Sequence, residues 1–306
     1  MKINLSNVFS VDASQDERYI IRILGFKISI QKRNVAAQRK QNPYYYYKKN
    51  NIDITTIPPI TGDARDRQLI GLYMLKQLDE VCKKHNINYW LDFGALLGAV
   101  RHKGFIPWDD DIDIGIMRKD YNKLMQVFDS TVKDKDLFLG FRVSDTEILL
   151  KIYHKKISHI FIDIFPYDFY NENLTKDEQI IKTTEYKALR KNFLQKERSK
   201  DPLEFHNSFQ ELTNDFTNLN EEKYVIWGFE FGHNWKKWIH EYNTIFPLTE
   251  LEFEGEKYPC IRDYDTYLKD VYGDYMAYPK KISVGHFMYK NFTVEEKKLM
   301  KELIKK

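Results

Sequence analysis

The sequence predicts an α+β fold in which one mixed β-sheet is flanked by helices. Three observations carry that prediction. Short segments with apolar residues at every second position are interspersed with longer ones whose apolar residues recur every three or four. Their order lacks the regular strand–helix period of a doubly wound parallel sheet, which leaves the mixed-sheet class. Of the 306 residues, 42% are apolar and 15% aromatic, enough for a sizeable core.

Taken in order, "RYIIRI" and "KISIQK" alternate apolar and polar residues about "LGF", the pattern of a small β-hairpin. Residues 34–60 are polar and run into "IPPITG", the composition of a linker. Residues 1–60 therefore read as an N-terminal extension, hairpin plus linker, and residues 61–306 as the main domain. From Ala64 to Lys84, the spacing of Leu69, Leu72, Leu75, Leu78 and Cys82 predicts one apolar helical face. "NINYWLDFG" predicts a short strand, and "ALLGAVR" a helix that starts after Gly94. "DIDIGI" alternates strictly and predicts a strand, followed by a helix over "RKDYNKLMQVF". "ILLKIYHKK" and "SHIFIDIF" predict two strands around a short turn. Residues 174–245 read as mostly helical, ending in the tryptophan-rich "VIWGFEFGHNWKKWIHEY". "LEFEGEKYPCI" predicts a hairpin around Glu254 and Gly255, and "DYDTYLKDVYGDYM" a helix closing on a glycine.

Composition narrows the functional classes. The formal charge is +3, but residues 1–60 hold ten Lys/Arg against four Asp/Glu, which leaves −3 for the remainder. A nucleic-acid-binding face on the main domain is not expected from that balance. The basic extension, with its "YYYYKK", suits peripheral contact with an anionic membrane surface or an assembly partner. No run reaches the roughly 18 apolar residues of a spanning helix, and the start lacks the apolar core of a signal peptide. Cys82 and Cys260 are the only cysteines and have no metal-ligand spacing, so a reducing cytoplasm is the expected compartment.

Four of the five residues Asp109 to Asp113 are aspartates, at the start of an isoleucine-rich strand. Side chains alternate along a strand, so Asp111 and Asp113 share one face while Ile112, Ile114 and Ile116 face a core. Two neighbouring carboxylates repel unless a cation lies between them, and a hard divalent ion such as Mg²⁺ or Mn²⁺ would balance them. An EF-hand loop beginning at Asp109 is excluded: its sixth position, which requires glycine, is Ile114, and its twelfth is Asp120. "SHIFIDIF" supplies a third acid, Asp163, between isoleucines that face the other way. "FGALLG" puts Gly94 and Ala95 at a strand-to-helix turn, where backbone N–H groups can hold a phosphate. A glycine turn, an acid pair on a strand and a third acid on a later strand follow the order of parts in nucleotidyltransferase-fold enzymes.

"YWLDFGALLGAVRHKGFIPWDDDIDIGIMRKDYNKL" resembles the signature of the LicD/fukutin family, and "FIDIFPYD", "FEGEKYPCIRDYDTYLKDVYGDYM" and "GHF" resemble its later blocks in the same order. The resemblance runs from about Arg67 to His286. It implies a nucleotidyltransferase fold and transfer of a phosphorylated small alcohol, such as phosphocholine or ribitol phosphate, from a CDP carrier to a glycan. By the same resemblance, Asp111, Asp113 and Asp163 are the metal-binding and catalytic acids, and Gly94 is the phosphate-side glycine. The chain departs from the pattern at Ala95, where Ser or Thr often stands, so a hydroxyl contact to phosphate is lost.

Further substrate-binding candidates are Arg101, which could grip a diphosphate bidentately, Lys151, and His286 at a family position. Trp108 adjoins the acids and could face a trimethylammonium, as could Trp227, Trp235, Trp238, Tyr272 or Tyr275, although aromatic residues more often serve as core. The expected partners are CDP-choline or another CDP-alcohol and a glycan acceptor. Two alternatives stay open on the sequence: a nucleotidyltransferase releasing pyrophosphate, and a domain that binds nucleotide or glycan without turnover.

Overall fold

A computed structural model describes residues 9–13, 18–23, 26–31, 43–143, 148–170, 175, 177–178, 192–193, 202–213, 223–228, 239–280, 282 and 291–305. Two compact units make up the chain, Met1–Asp53 and Ile54–Lys306. Leu24 and Gly25 of the turn expected at "LGF", much of the helical segment expected over residues 174–245, Trp235, Trp238 and His286 lie outside the described residues.

In the first unit, the expected hairpin forms from β2 (Arg18–Ile23) and β3 (Phe26–Gln31), which pair antiparallel. A further strand, β1 (Phe9–Ala13), pairs with β2 and makes the hairpin a three-stranded sheet. The stretch read as linker contains a short helix, α1 (Pro43–Lys49), with Pro at the first helical position and Lys48 and Lys49 in the last turn. Both placements suit a helix, since proline's missing N–H is not needed there and cations favour the C-terminal end.

The second unit begins with a 3₁₀ turn at Ile54–Thr56 and the long helix α2 (Asp63–His85). Its chain then gives β4 (Tyr89–Leu91), α3 (Phe93–His102), β5 (Ile112–Met117), α4 (Arg118–Thr131), β6 (Leu137–Val143), β7 (Ile148–His154) and β8 (Ile157–Tyr170). After α5 (Pro202–Thr213) come β9 (Tyr224–Trp227), β10 (Ile239–Glu241), α6 (Tyr242–Ile245), β11 (Thr249–Phe253), β12 (Glu256–Cys260), α7 (Tyr264–Tyr272) and α8 (Val294–Leu303). "VIW" and "IHE" are therefore strands where helix was expected; their residues Val225, Ile226 and Ile239 are fully buried in the sheet. Burial on both faces leaves no period-two signal, and such short apolar runs are ambiguous from sequence.

The fourteen-residue β8 organises the sheet. One edge pairs parallel with β5, from Ile112 opposite Ile162 to Met117 opposite Tyr167. The other edge is shared: its first part pairs antiparallel with β7 and its last part with β9. β4 closes one side on β5, and β6 and β10 lie beyond β7 and β9. Parallel and antiparallel pairs thus coexist, as the mixed-sheet prediction requires. One face carries Ile112, Ile114, Ile116, Ile162 and Ile164, all at 0% exposure, each burial stabilising by about 1.5–3 kcal/mol. α2 packs on this face; a Cβ added at its Gly71 would touch Ile112 Cδ1 at 3.4 Å.

The buried stripe of α2 is broader than the leucine spacing suggested. Ile70, Met74, Leu75, Leu78 and Cys82 are buried, while Leu69 is half-buried and lies with Leu303 and Ile304 at the end of α8. The helix is covered on two sides, which a single-face pattern does not express. It stops at Asn86, whose φ of 50° is the left-handed conformation asparagine tolerates at a helix end.

Candidate active site

Strand register creates the site. Asp113 of β5 lies directly opposite Asp163 of β8, and Lys151 of β7 lies opposite Asp163 on the other side. Residues paired across a sheet share a face, so Lys151, Asp163 and Asp113 form one row on the face turned away from the isoleucines. Asp111, two residues before Asp113, joins them; ligand oxygens of Asp111, Asp113 and Asp163 all lie within 4.8 Å of one another. Lys151 Nζ stands 2.6 Å from Asp163 Oδ1 and 3.6 Å from the centre of the Phe161 ring. Three carboxylates against one ammonium leave the row with excess negative charge. Burial and the charge of Asp111 push Asp113 well above the usual carboxylate range.

The N-terminus of α3 meets this row. Gly94 N–H donates to Asp113 Oδ2 at 3.3 Å, and a Cβ at Gly94 would lie 2.5 Å from Asp109 Oδ2. Only a glycine lets the helix start this close to the acids. Asp109 thereby belongs to the cluster, with Asp110 and Asp111 within the same 4.8 Å limit; burial and Asp111 raise it well above the ordinary range. Gln68 of α2 fixes the loop by donating to Asp109 O at 2.8 Å and Ile106 O at 3.3 Å. Ala95 is buried in α3, its side chain part of the packing.

Asp92, which the sequence reading passed over, anchors this arrangement. Its backbone N–H donates to Asp113 O at 3.0 Å, and its side chain caps α3 by accepting from Phe93 N–H at 2.8 Å. Tyr167 and Tyr267 hydroxyls donate to it at 2.7 and 2.5 Å and lie 3.0 Å apart. Burial pushes Asp92 up to about 6, against the lowering effect of those donors. The signal for its capping role was present, an aspartate between a strand and a glycine-led helix. The tyrosines gave none, because they come from 75 and 175 positions further along the chain.

Arg101 and Trp108 come together beside the acids. The guanidinium lies 5.9 Å from the Trp108 ring centre and donates to Tyr275 O at 2.8 Å. Burial lowers Arg101 to about 10, still a cation at neutral pH. Trp108 is itself buried. His102, held down to about 4 by burial and Arg101, has no hydrogen-bond partner on either ring nitrogen among the described residues and is neutral.

The three acids supply oxygen donors alone, the set that a hard divalent cation takes. A separate group, Asp134, Asp136 and His154, has similar spacing but its atoms are engaged. Asp134 accepts from Tyr73, Lys156 pairs with Asp136, and His154 Nδ1 accepts from Lys156 N–H. In the Asp111–Asp113–Asp163 row Asp113 and Asp163 are also engaged, by Gly94 N–H and Lys151, but its donors are oxygens alone, which makes it the stronger candidate for a hard metal.

Parts of the chain are similar to known proteins. Residues 86–207 match the family described as LicD/FKTN/FKRP, nucleotidyltransferase domain. A lipopolysaccharide cholinephosphotransferase, LicD, of Haemophilus influenzae is 27% identical over 251 residues, covering 70% of this chain and 92% of that protein. An uncharacterized protein of Rickettsia typhi is 39% identical over 121 residues, 35% of this chain and 38% of its own length. The human ribitol 5-phosphate transferase FKRP is 31% identical over 100 residues, 32% of this chain and 20% of the human protein. Two of these three relatives are thus matched over less than half their length. The segment that carries the acid row, residues 86–207, is similar to the nucleotidyltransferase domain of the LicD/FKTN/FKRP family.

Proposed function

We propose that this protein transfers a phospho-alcohol, phosphocholine foremost, from a CDP-linked donor to a hydroxyl of a cell-surface glycan or its lipid-linked precursor, releasing CMP. The observation that carries the reading is the acid row: Asp111, Asp113 and Asp163 on one face of adjoining strands, with the Gly94 turn against them. The similarity to a cholinephosphotransferase over 92% of its length supports the choice of phosphocholine.

Asp111, Asp113 and Asp163 would hold Mg²⁺ or Mn²⁺, which when bound supplies charge neutralisation for the donor diphosphate and the departing CMP. The remaining work belongs to the chain. Asp163 accepts the proton of the acceptor hydroxyl, and Lys151, 2.6 Å away, fixes the carboxylate in place. Arg101, cationic and buried against Trp108, faces diphosphate oxygens. The rigid β5–β8 pair holds the attacking and leaving groups in line, since phosphoryl transfer depends mainly on positioning and electrostatics. The reaction belongs on the cytoplasmic side of a membrane, with the basic residues 1–60 toward anionic lipid.

The test is incubation with CDP-choline, a glycan acceptor and Mg²⁺ or Mn²⁺, with products identified. CMP and phosphocholine-modified glycan are expected; pyrophosphate would identify a nucleotidyltransferase instead. Asp163→Asn should lower transfer by about 10²–10⁴-fold with donor binding largely intact, and full activity in that variant would remove Asp163 from the mechanism.

A further inference from the structure

Beyond the acids, the same face of the sheet carries two aromatic rings, and a third meets them from the start of α3. Phe165 lies two residues past Asp163 on β8 and shares its face. Trp227 of β9 pairs with Tyr167, which puts it on that face as well. Phe93 immediately precedes Gly94 at the start of α3. Ring centres are 4.7 Å apart for Phe93–Phe165, 5.6 Å for Phe93–Trp227 and 5.8 Å for Phe165–Trp227. Interplanar angles of 65°, 63° and 40° show that no pair is stacked in parallel.

Trp227 is buried, and two features set Phe93 and Phe165 apart from ordinary core. The isoleucines on the opposite face are at 0% exposure, whereas Phe93 and Phe165 are only half-buried. Phe93 also has a φ of 39°, a left-handed conformation that is costly for a bulky residue. Strain of that kind persists where the surroundings fix it and clusters at ligand sites. Here it accompanies the contact of the Phe93 ring with Phe165 and Trp227, beside the phosphate-side turn.

We infer that Phe93, Phe165 and Trp227 form the subsite for the alcohol end of the donor, and that they select a quaternary ammonium. This rests on the phospho-alcohol transfer proposed above. Aromatic faces attract a trimethylammonium, which presents no N–H to hydrogen-bond and loses little on leaving water. A polyol such as ribitol would need several hydrogen-bond partners; two phenyl rings supply none, and Trp227 adds a single indole N–H.

The experiment measures binding of CDP-choline, CDP-ribitol and CMP to the full chain and to Phe165→Leu and Phe165→Tyr. Wild-type protein is expected to prefer CDP-choline to CDP-ribitol. Phe165→Leu should weaken CDP-choline about tenfold while leaving CMP affinity unchanged, and Phe165→Tyr, which keeps the π face, should bind like wild type. Equal weakening of CDP-choline and CMP, no difference between the Leu and Tyr variants, or a preference for CDP-ribitol would each overturn the subsite. Tetramethylammonium, followed by tryptophan fluorescence, separates this inference from the transfer reading. If it binds wild type and not Phe165→Leu while no CDP-alcohol is turned over, the ammonium site stands and transfer fails. If CDP-ribitol is turned over and tetramethylammonium has no effect, transfer stands and the ammonium site fails.

Discussion

At Gly94, one methyl group separates a working site from a distorted one. Alanine there would bring Cβ to 2.5 Å from Asp109 Oδ2, a distance that real Cβ atoms do not adopt, so the carboxylate must move. Asp109 adjoins Asp110 and Asp111, and groups that orient metal ligands commonly contribute 10–100-fold to affinity. Gly94→Ala is therefore expected to weaken Mn²⁺ binding by on the order of 10–100-fold, read by isothermal titration, with the fold retained by circular dichroism. Unchanged Mn²⁺ affinity would mean that the glycine serves only the turn. Asp92 shows the same economy: this buried residue joins β5 through its backbone N–H, and α3, β8 and α7 through three hydrogen bonds to its carboxylate.

Among the elements, the β11–β12 hairpin has the clearest influence on the site. Glu254, at its turn with a φ of 54°, forms a two-pronged ion pair with Arg65 of α2 and accepts from Phe105 N–H at 3.1 Å. Its own N–H donates to Lys103 O at 2.8 Å. The loop so braced, residues 103–106, leads into Trp108 and the acid cluster. Gly104 is required there because a Cβ would strike the Glu254 carboxylate. Glu254→Gln removes one charge of the pair and is expected to cost about 1–3 kcal/mol in urea unfolding. Because the loop is loosened, turnover should fall as well; loss of stability without loss of turnover would show that the hairpin does not steady the acids. A second brace, Arg118 to Asp168 with two 2.8 Å contacts, ties the start of α4 to β8 at the other end of the parallel pair.

Over the whole molecule, charge and chemistry are separated along the chain. The +6 of residues 1–60 stands against −3 for the rest, and the acid site belongs to the rest. Among the described residues no helix is long and apolar enough to cross a membrane. At about 1 kcal/mol per basic residue near an anionic surface, the extension could hold the protein on phosphatidylserine vesicles at low salt. Full-length protein should float with such vesicles and sink at about 0.5 M salt, where screening lengths shrink to a few ångströms. A chain lacking residues 1–60 should not float under either condition; flotation of the shortened chain would shift the contact to the main domain.

The sequence by itself determined the parts that are local. Alternation put Ile112, Ile114 and Ile116 on one face and Asp111 and Asp113 on the other, and the structure keeps that division. The α2 helix, the Glu254–Gly255 hairpin and the α7 helix closing on Gly273 were legible for the same reason, since each is a property of neighbouring residues. What only the tertiary structure decided is register. No local pattern states that Asp113 faces Asp163 across a parallel pair, or that Lys151 stands opposite on the third strand. Nor does it state that Tyr167 and Tyr267 meet at Asp92, or that Phe93 meets Phe165 and Trp227 on the acids' side of the sheet. Those contacts join segments tens to hundreds of residues apart, and they are fixed by strand pairing and packing, which local periodicity does not encode.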